Sequence, residues 1–181
     1  KLKSDDFTDN DDLTLADNVK VYVNGADATP TNLANAFNNT EKGGVKVELT
    51  YNDDDVNKID RVVVLAYSIA QIDDVSEKVT KAQKEDGATC KIKIDGESYV
   101  LDNDFVGFDA STYVEDAYVC YIQVGTEVYA SQLATKVEGE VSSTKGSNKA
   151  TINGTTYKYV GGVTIDVEDD GEFYLNVAGQ I

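Results

Sequence analysis

The densest run of metal-capable side chains is Asn52-Asp53-Asp54-Asp55-Val56-Asn57-Lys58-Ile59-Asp60. Calcium takes about six to eight oxygens from alternate positions of a loop, and on that register Asn52, Asp54 and Asp60 are the candidate ligands. Val56 supplies no side-chain oxygen at the third alternate position, and Asn57 stands where such a loop wants Gly. The run therefore reads as a solvated acidic hairpin turn, with Ca2+ the only cofactor to consider. Asp5, Asp6, Asp9, Asp11 and Asp12 read in the same way, as a solvated loop.

Other chemistry is excluded by what is missing. The chain has no His, which removes Ser-His and Cys-His nucleophile pairs and His-ligated metals. Arg61 is the sole Arg, so no Arg cluster can clamp a phosphate or carboxylate. Carboxylate pairs of the kind glycosidases use are expected by chance among 33 acidic residues, and none sits in a motif that organises a cleft. No catalytic residue is assigned, and the chain is read as a non-enzyme. Gly43-Gly44 and Gly161-Gly162 lack the following helix and Lys-Ser/Thr of a phosphate loop. Cys90 and Cys120 do not match a metal spacing; buried inert thiols are the first reading and one disulfide between neighbouring strands the second. With no Trp, a glycan platform would have to use outward tyrosines such as Tyr51, Tyr121 and Tyr174. A net charge of −17 repels nucleic acid and anionic lipid, so neither is an expected partner.

The elements that would position these groups are strands. Val45-Lys46-Val47-Glu48-Leu49-Thr50 and Cys90-Lys91-Ile92-Lys93-Ile94 alternate apolar and polar, as a strand with one buried face does. Residues 119–124 and 173–177 continue the pattern, placing Ile122, Val124, Phe173, Leu175 and Val177 inward and Tyr121 and Tyr174 outward. Asn24-Gly25, Asp95-Gly96 and Asn153-Gly154 fall between such runs and signal two-residue hairpins. The strand-like stretch 59–72 is far longer than the usual five or six residues and is expected to leave one unit and enter the next. Helical spacing is confined to residues 31–37 and to a single turn at Ser131-Gln132-Leu133-Ala134. No apolar run reaches the ~20 residues that cross a bilayer as a helix.

The turns belong to an internal repeat. Ile94-Asp95-Gly96-Glu97-Ser98-Tyr99 matches Ile152-Asn153-Gly154-Thr155-Thr156-Tyr157, and Val114-Glu115-Asp116 matches Val167-Glu168-Asp169. A more diverged copy opens at Val21-Tyr22-Val23-Asn24-Gly25. The expected fold is all-β: two or three small barrel- or sandwich-like modules in an elongated tandem, with one or two short helical turns. The modules are placed at 1–74, 75–135 and 136–181, the last able to pack with 75–135 as one domain.

The stretch Gly44 to Ile72, with Val45-Lys46-Val47, Asn52-Asp53-Asp54-Asp55, Val62-Val63-Val64 and Tyr67 in order, resembles the β-rich non-anchor modules of surface proteins that carry S-layer homology domains in Gram-positive bacteria. The C-terminal copy, Glu138-Gly139-Glu140-Val141 to Gly154 and then Phe173-Tyr174-Leu175-Asn176-Val177-Ala178-Gly179-Gln180-Ile181, is similar to another recurring unit of such proteins. The likeness runs through short motifs over most of the chain and does not include the anchoring domain. It implies an extracellular location at the cell wall or cell surface. The expected role is a structural or adhesive segment that spaces or displays other parts of a longer protein. Its partners would be other modules of that protein, neighbouring surface proteins, or a glycan or host protein. The alternatives are an extracellular ligand-binding module and, further off, a hydrolase fragment with a carboxylate pair.

Overall fold

A computed structural model describes residues 14–29, 42–52, 55–76, 80–85, 87–102, 113–124 and 127–181. The fold is all-β. Twelve strands and one short helix, α1 (Lys81–Glu85), are defined among these residues. The expected helix at 31–37 lies outside them. The single turn expected at Ser131 is instead strand: Ser131, Gln132 and Leu133 end β8 (Glu127–Leu133). Ladder bonds to the neighbouring strand and the packing of Val128 and Leu133 on a buried core outweigh a local helical spacing too short to nucleate.

The chain divides into two compact units, one of residues 1–38 and 45–66, the other of residues 39–44 and 67–181. In the first, β1 (Thr14–Val23) forms a hairpin with β2 (Ala26–Ala28) and runs parallel to β4 (Asp55–Ser76), which also carries β3 (Lys42–Asn52). Its core is Val21, Ile59, Val62 and Val64, with Val45 and Leu49 half-buried against them. Asn24 closes the hairpin onto β4: its side chain accepts from the Ala66 N–H at 2.8 Å and donates to the Ala66 carbonyl at 3.1 Å. Arg61 lies over the Tyr22 ring, 5.3 Å from its centroid.

The second unit builds one substructure twice. β4, β5 (Ala88–Ile94), β6 (Glu97–Asp102) and β7 (Tyr118–Val124) form the first copy. β9 (Thr135–Thr144), β10 (Lys149–Ile152), β11 (Thr155–Lys158) and β12 (Asp170–Leu175) form the second. The opening strand of each copy changes partner midway. β4 pairs β7 from Ser68 to Gln71 and β5 from Ile72 onward; β9 pairs β12 from Thr135 to Glu140 and β10 from Val141 onward. A bulge marks each exchange, the register stepping from Ile72↔Ile94 to Asp74↔Lys93 and from Ile152↔Val141 to Thr151↔Ser143. All four residues at the two exchange points are fully buried.

Matching corners precede the last strands. Asp116 (φ 68°) and Glu168 (φ 76°) adopt the left-handed conformation and donate their N–H groups to the carbonyls of Ile72 and Val141, each at 2.9 Å. Ile72 and Val141 return N–H bonds of 2.8 Å to the carbonyls of Ala117 and Asp169. Asp116 thus corresponds to Glu168, one residue out of step with the alignment of Val-Glu-Asp on Val-Glu-Asp. The corner conformation, not side-chain identity, sets the equivalence. The diverged copy at Val21 shares only the turn, since β1 runs parallel to β4.

The three hairpins have φ of 48° and 81° at Asn24-Gly25, 52° and 84° at Asp95-Gly96, and 49° and 80° at Asn153-Gly154. Positive φ at both central residues is the primed turn whose twist suits paired strands, which is why Asn or Asp precedes Gly at each. The copies fill their cores alike: Ile72, Ile92, Ile94, Tyr99, Tyr113, Val119 and Tyr121 in the first, and Val141, Ala150, Ile152 and Ile165 with half-buried Tyr157 and Phe173 in the second.

Face assignments in β7 differ from the sequence reading. Val119, Cys120, Tyr121 and Ile122 are all buried, so this stretch of the strand is covered on both sides. Tyr121, expected outward, packs in the first core, while Val124 (48% exposed) and Val47 (38% exposed), both expected inward, face solvent.

Candidate functional site

Of the candidate calcium ligands, the described residues place the backbone of Asn52 and of Asp60. Asn52 ends β3, and Asp54 lies outside the described residues. Asp60 sits in β4, five residues after its first residue Asp55, roughly 17 Å along an extended chain. Its Oδ1 is buried with no hydrogen-bond partner among the described residues. Among those residues no three Asp, Glu or Cys side chains converge as a metal site would require.

Cys90 and Cys120 are buried thiols not joined in a disulfide. Cys90 belongs to the first core of the second unit. Cys120 alternates with Val119 and Tyr121, which point into that core, and therefore faces the other side of β7.

Of the candidate tyrosines, Tyr51 is exposed (41%) and Tyr121 is buried. Tyr174 is half-buried, with its ring 4.2 Å from that of Tyr118. Around it β9 and β12 assemble a polar cluster that no local motif announces. Register places Glu138 opposite Glu172 and Lys136 opposite Tyr174. Directly opposed carboxylates repel, and Lys136 relieves this by pairing with both, 2.8 Å from Glu172 and in direct contact with Glu138. The Tyr174 hydroxyl donates to the second oxygen of Glu172 at 2.7 Å.

These contacts move the titrations of Lys136, Glu172 and Tyr174 away from neutrality. The Lys136 ammonium is pushed well above its ordinary range by its bonds to Glu138 and then Glu172. The Glu172 carboxyl is pulled down by Lys136 and then by Tyr174, and the Tyr174 phenol is pushed up by its bond to Glu172. The cluster is built to hold two strands in register.

Its pH dependence follows. Glu172 is lower in the folded chain, so its contribution is present above its unfolded value and lost as pH falls through the folded one; Lys136 is higher, so its contribution is lost only when pH rises past its unfolded value toward the folded one. Lys136→Gln is therefore expected to lower Tm at neutral pH, with a gap to wild type that narrows in acid and at high salt. A gap indifferent to both would mean that Lys136 acts through packing alone.

The side chain that sequence reasoning missed altogether is Asn176, a buried polar residue 5% exposed. Its Oδ1 accepts from the N–H groups of Ala178 (2.9 Å) and Gln180 (3.1 Å), and its Nδ2 donates to the Lys42 carbonyl (3.1 Å). Asn before a small-residue turn is a recognisable turn signal; its bond to a residue 134 positions away is not.

A scan against protein-family models and searches of curated proteins and of solved structures find no match for this chain. No helix among the described residues is long and apolar enough to cross a membrane.

Proposed function

We propose that this chain is a non-catalytic, β-rich segment of a bacterial cell-surface protein, acting as a spacer or display scaffold. The observation that carries the reading is the duplicated substructure, in which the same partner-switching strand, bulge, primed hairpin and left-handed corner occur twice within one unit. Tandem repetition of a small β unit extends a polypeptide without requiring a cleft, and each copy buries its own apolar face. The acidic surface fits a well-hydrated exterior segment. The extracellular placement rests on the resemblance to modules of S-layer-homology surface proteins.

Two measurements test it. Antibodies raised against the purified chain should label intact cells of the source organism; labelling only after lysis overturns the surface placement. A glycan array probed with the chain should give no reproducible hit, whereas a hit abolished by Tyr174→Ala would favour a binding module over a scaffold.

A further inference from the structure

We propose that the outer edge of β12 is a docking edge for an antiparallel strand contributed by another polypeptide, entering where β8 sits in the first copy. In that copy β7 lies between β4 and β8, paired to β8 through Val119↔Leu133, Cys120↔Gln132, Tyr121↔Ser131 and Ile122↔Ala130. In the second copy β12 ends the sheet order β11-β10-β9-β12, and among the described residues β9 is its only neighbour.

The chain's course explains the difference. After β7 it returns at once as β8. After β12 the Asn176 turn diverts it, and Ile181 bonds to Lys158 and Val160 at 2.9 and 2.8 Å, so that none of the described residues that follow β12 pairs with its outer edge.

Main-chain groups at this edge are set in the geometry β8 would meet. Val141 donates to the Asp169 carbonyl, and bonded pairs alternate along an antiparallel ladder. Gly171, Phe173 and Leu175 therefore bond to β9, and Asp170, Glu172 and Tyr174 turn their N–H and C=O groups outward. The same alternation makes Tyr118, Cys120 and Ile122 the residues of β7 that face β8, as the bond from the Ala134 N–H to the Tyr118 carbonyl requires. Each outward residue of β12 has its counterpart there.

A charged side chain is the usual guard of a bare edge. Here Lys136 draws the Glu172 carboxylate back over β9, and the Tyr174 hydroxyl holds its second oxygen. The acidic corner at Glu168, Asp169 and Asp170 remains exposed at one end. The partner is accordingly an extended segment with uncharged residues opposite 171–174 and a basic residue beside that corner, held mainly by backbone bonds.

The chain's own residues 127–136, EVYASQLATK, satisfy this description. In the β8 register they set Leu, Gln, Ser and Ala against 171–174 and the terminal Lys beside Glu168. The test is amide exchange by NMR on the whole chain with this synthetic peptide. Exchange at Glu172 and Tyr174 should slow saturably, about tenfold or more, with Gly171 and Phe173 unchanged. A peptide N-methylated at the Gln132 and Ala134 positions should do nothing. No saturable slowing overturns the proposal, as does an equal effect from the methylated peptide or equal slowing at the β11 edge. Slowing that depends on protein concentration alone would assign the edge to a second copy of the chain and overturn it as well.

Discussion

Ile94→Ala is expected to lower the unfolding free energy by about 3 kcal/mol, the middle of the range for truncating a buried aliphatic side chain. Ile94 is fully buried, lies opposite fully buried Ile72 and shares a core with Ile92, Cys90 and Tyr99. It also immediately precedes the Asp95-Gly96 turn, so backbone hydrogen bonds on both sides limit how far the cavity can collapse. Ile152 holds the equivalent place in the second copy, opposite Val141 and before Asn153-Gly154. Ile152→Ala is expected to cost a similar amount. Because the two cores share no residue, the double variant should be additive within a few tenths of a kcal/mol. Urea denaturation monitored by tyrosine fluorescence and by circular dichroism checks all three variants. A loss under ~1 kcal/mol for Ile94→Ala would mean that this hairpin is not packed as described.

Gly43→Ala is expected to be at least as damaging, from the opposite direction. A Cβ on Gly43 would be driven into the carbonyl oxygens of Tyr67 and Ser68, main-chain atoms of β4 that cannot swing aside. Relief requires parting β3 from β4, and overpacking of this kind typically costs about 1–3 kcal/mol, more where backbone must move. The separation would also pull on Asn176, whose side chain bonds to Lys42, and on the Val177 N–H, which bonds to the Gly43 carbonyl at 3.1 Å. Gly25→Ala offers a contrast: nothing lies within 4 Å of its added Cβ, so only the positive φ of 81° resists. That strain is about 1–2 kcal/mol. The two variants should therefore rank in that order in a thermal melt, and the reverse order would place the close approach at Gly43 in error.

Legibility from sequence followed the range of the interactions concerned. The all-β class and the three primed turns rest on alternation and on Asn/Asp-Gly pairs, and the long strand through residues 59–72 on an unbroken run of strand-prone residues, features that local sequence carries. Strand faces were legible only where one side is wet. β5 alternates Cys90, Ile92 and Ile94 against Lys91 and Lys93, and those three apolar residues are indeed buried. β7 has no wet side over residues 119–122, so alternation there carries no information about faces, and Tyr121 is buried where the pattern predicts it outward. The cluster of Lys136, Glu138, Glu172 and Tyr174 was invisible because its members are brought together by a pairing of strands far apart in the chain.

By itself, then, the sequence determined where this chain turns and that it pairs as strands, because φ preferences and side-chain alternation act on neighbouring residues. Tertiary structure alone decided which edges are covered and which residues meet. A one-residue bulge at Ile72 and Val141 redirects each opening strand to a new partner, Asn176 steers the chain away from β12, and Gly43 admits β3 against β4. These depend on contacts across tens of residues, where the energy of a pairing is set by the partner rather than by the strand itself.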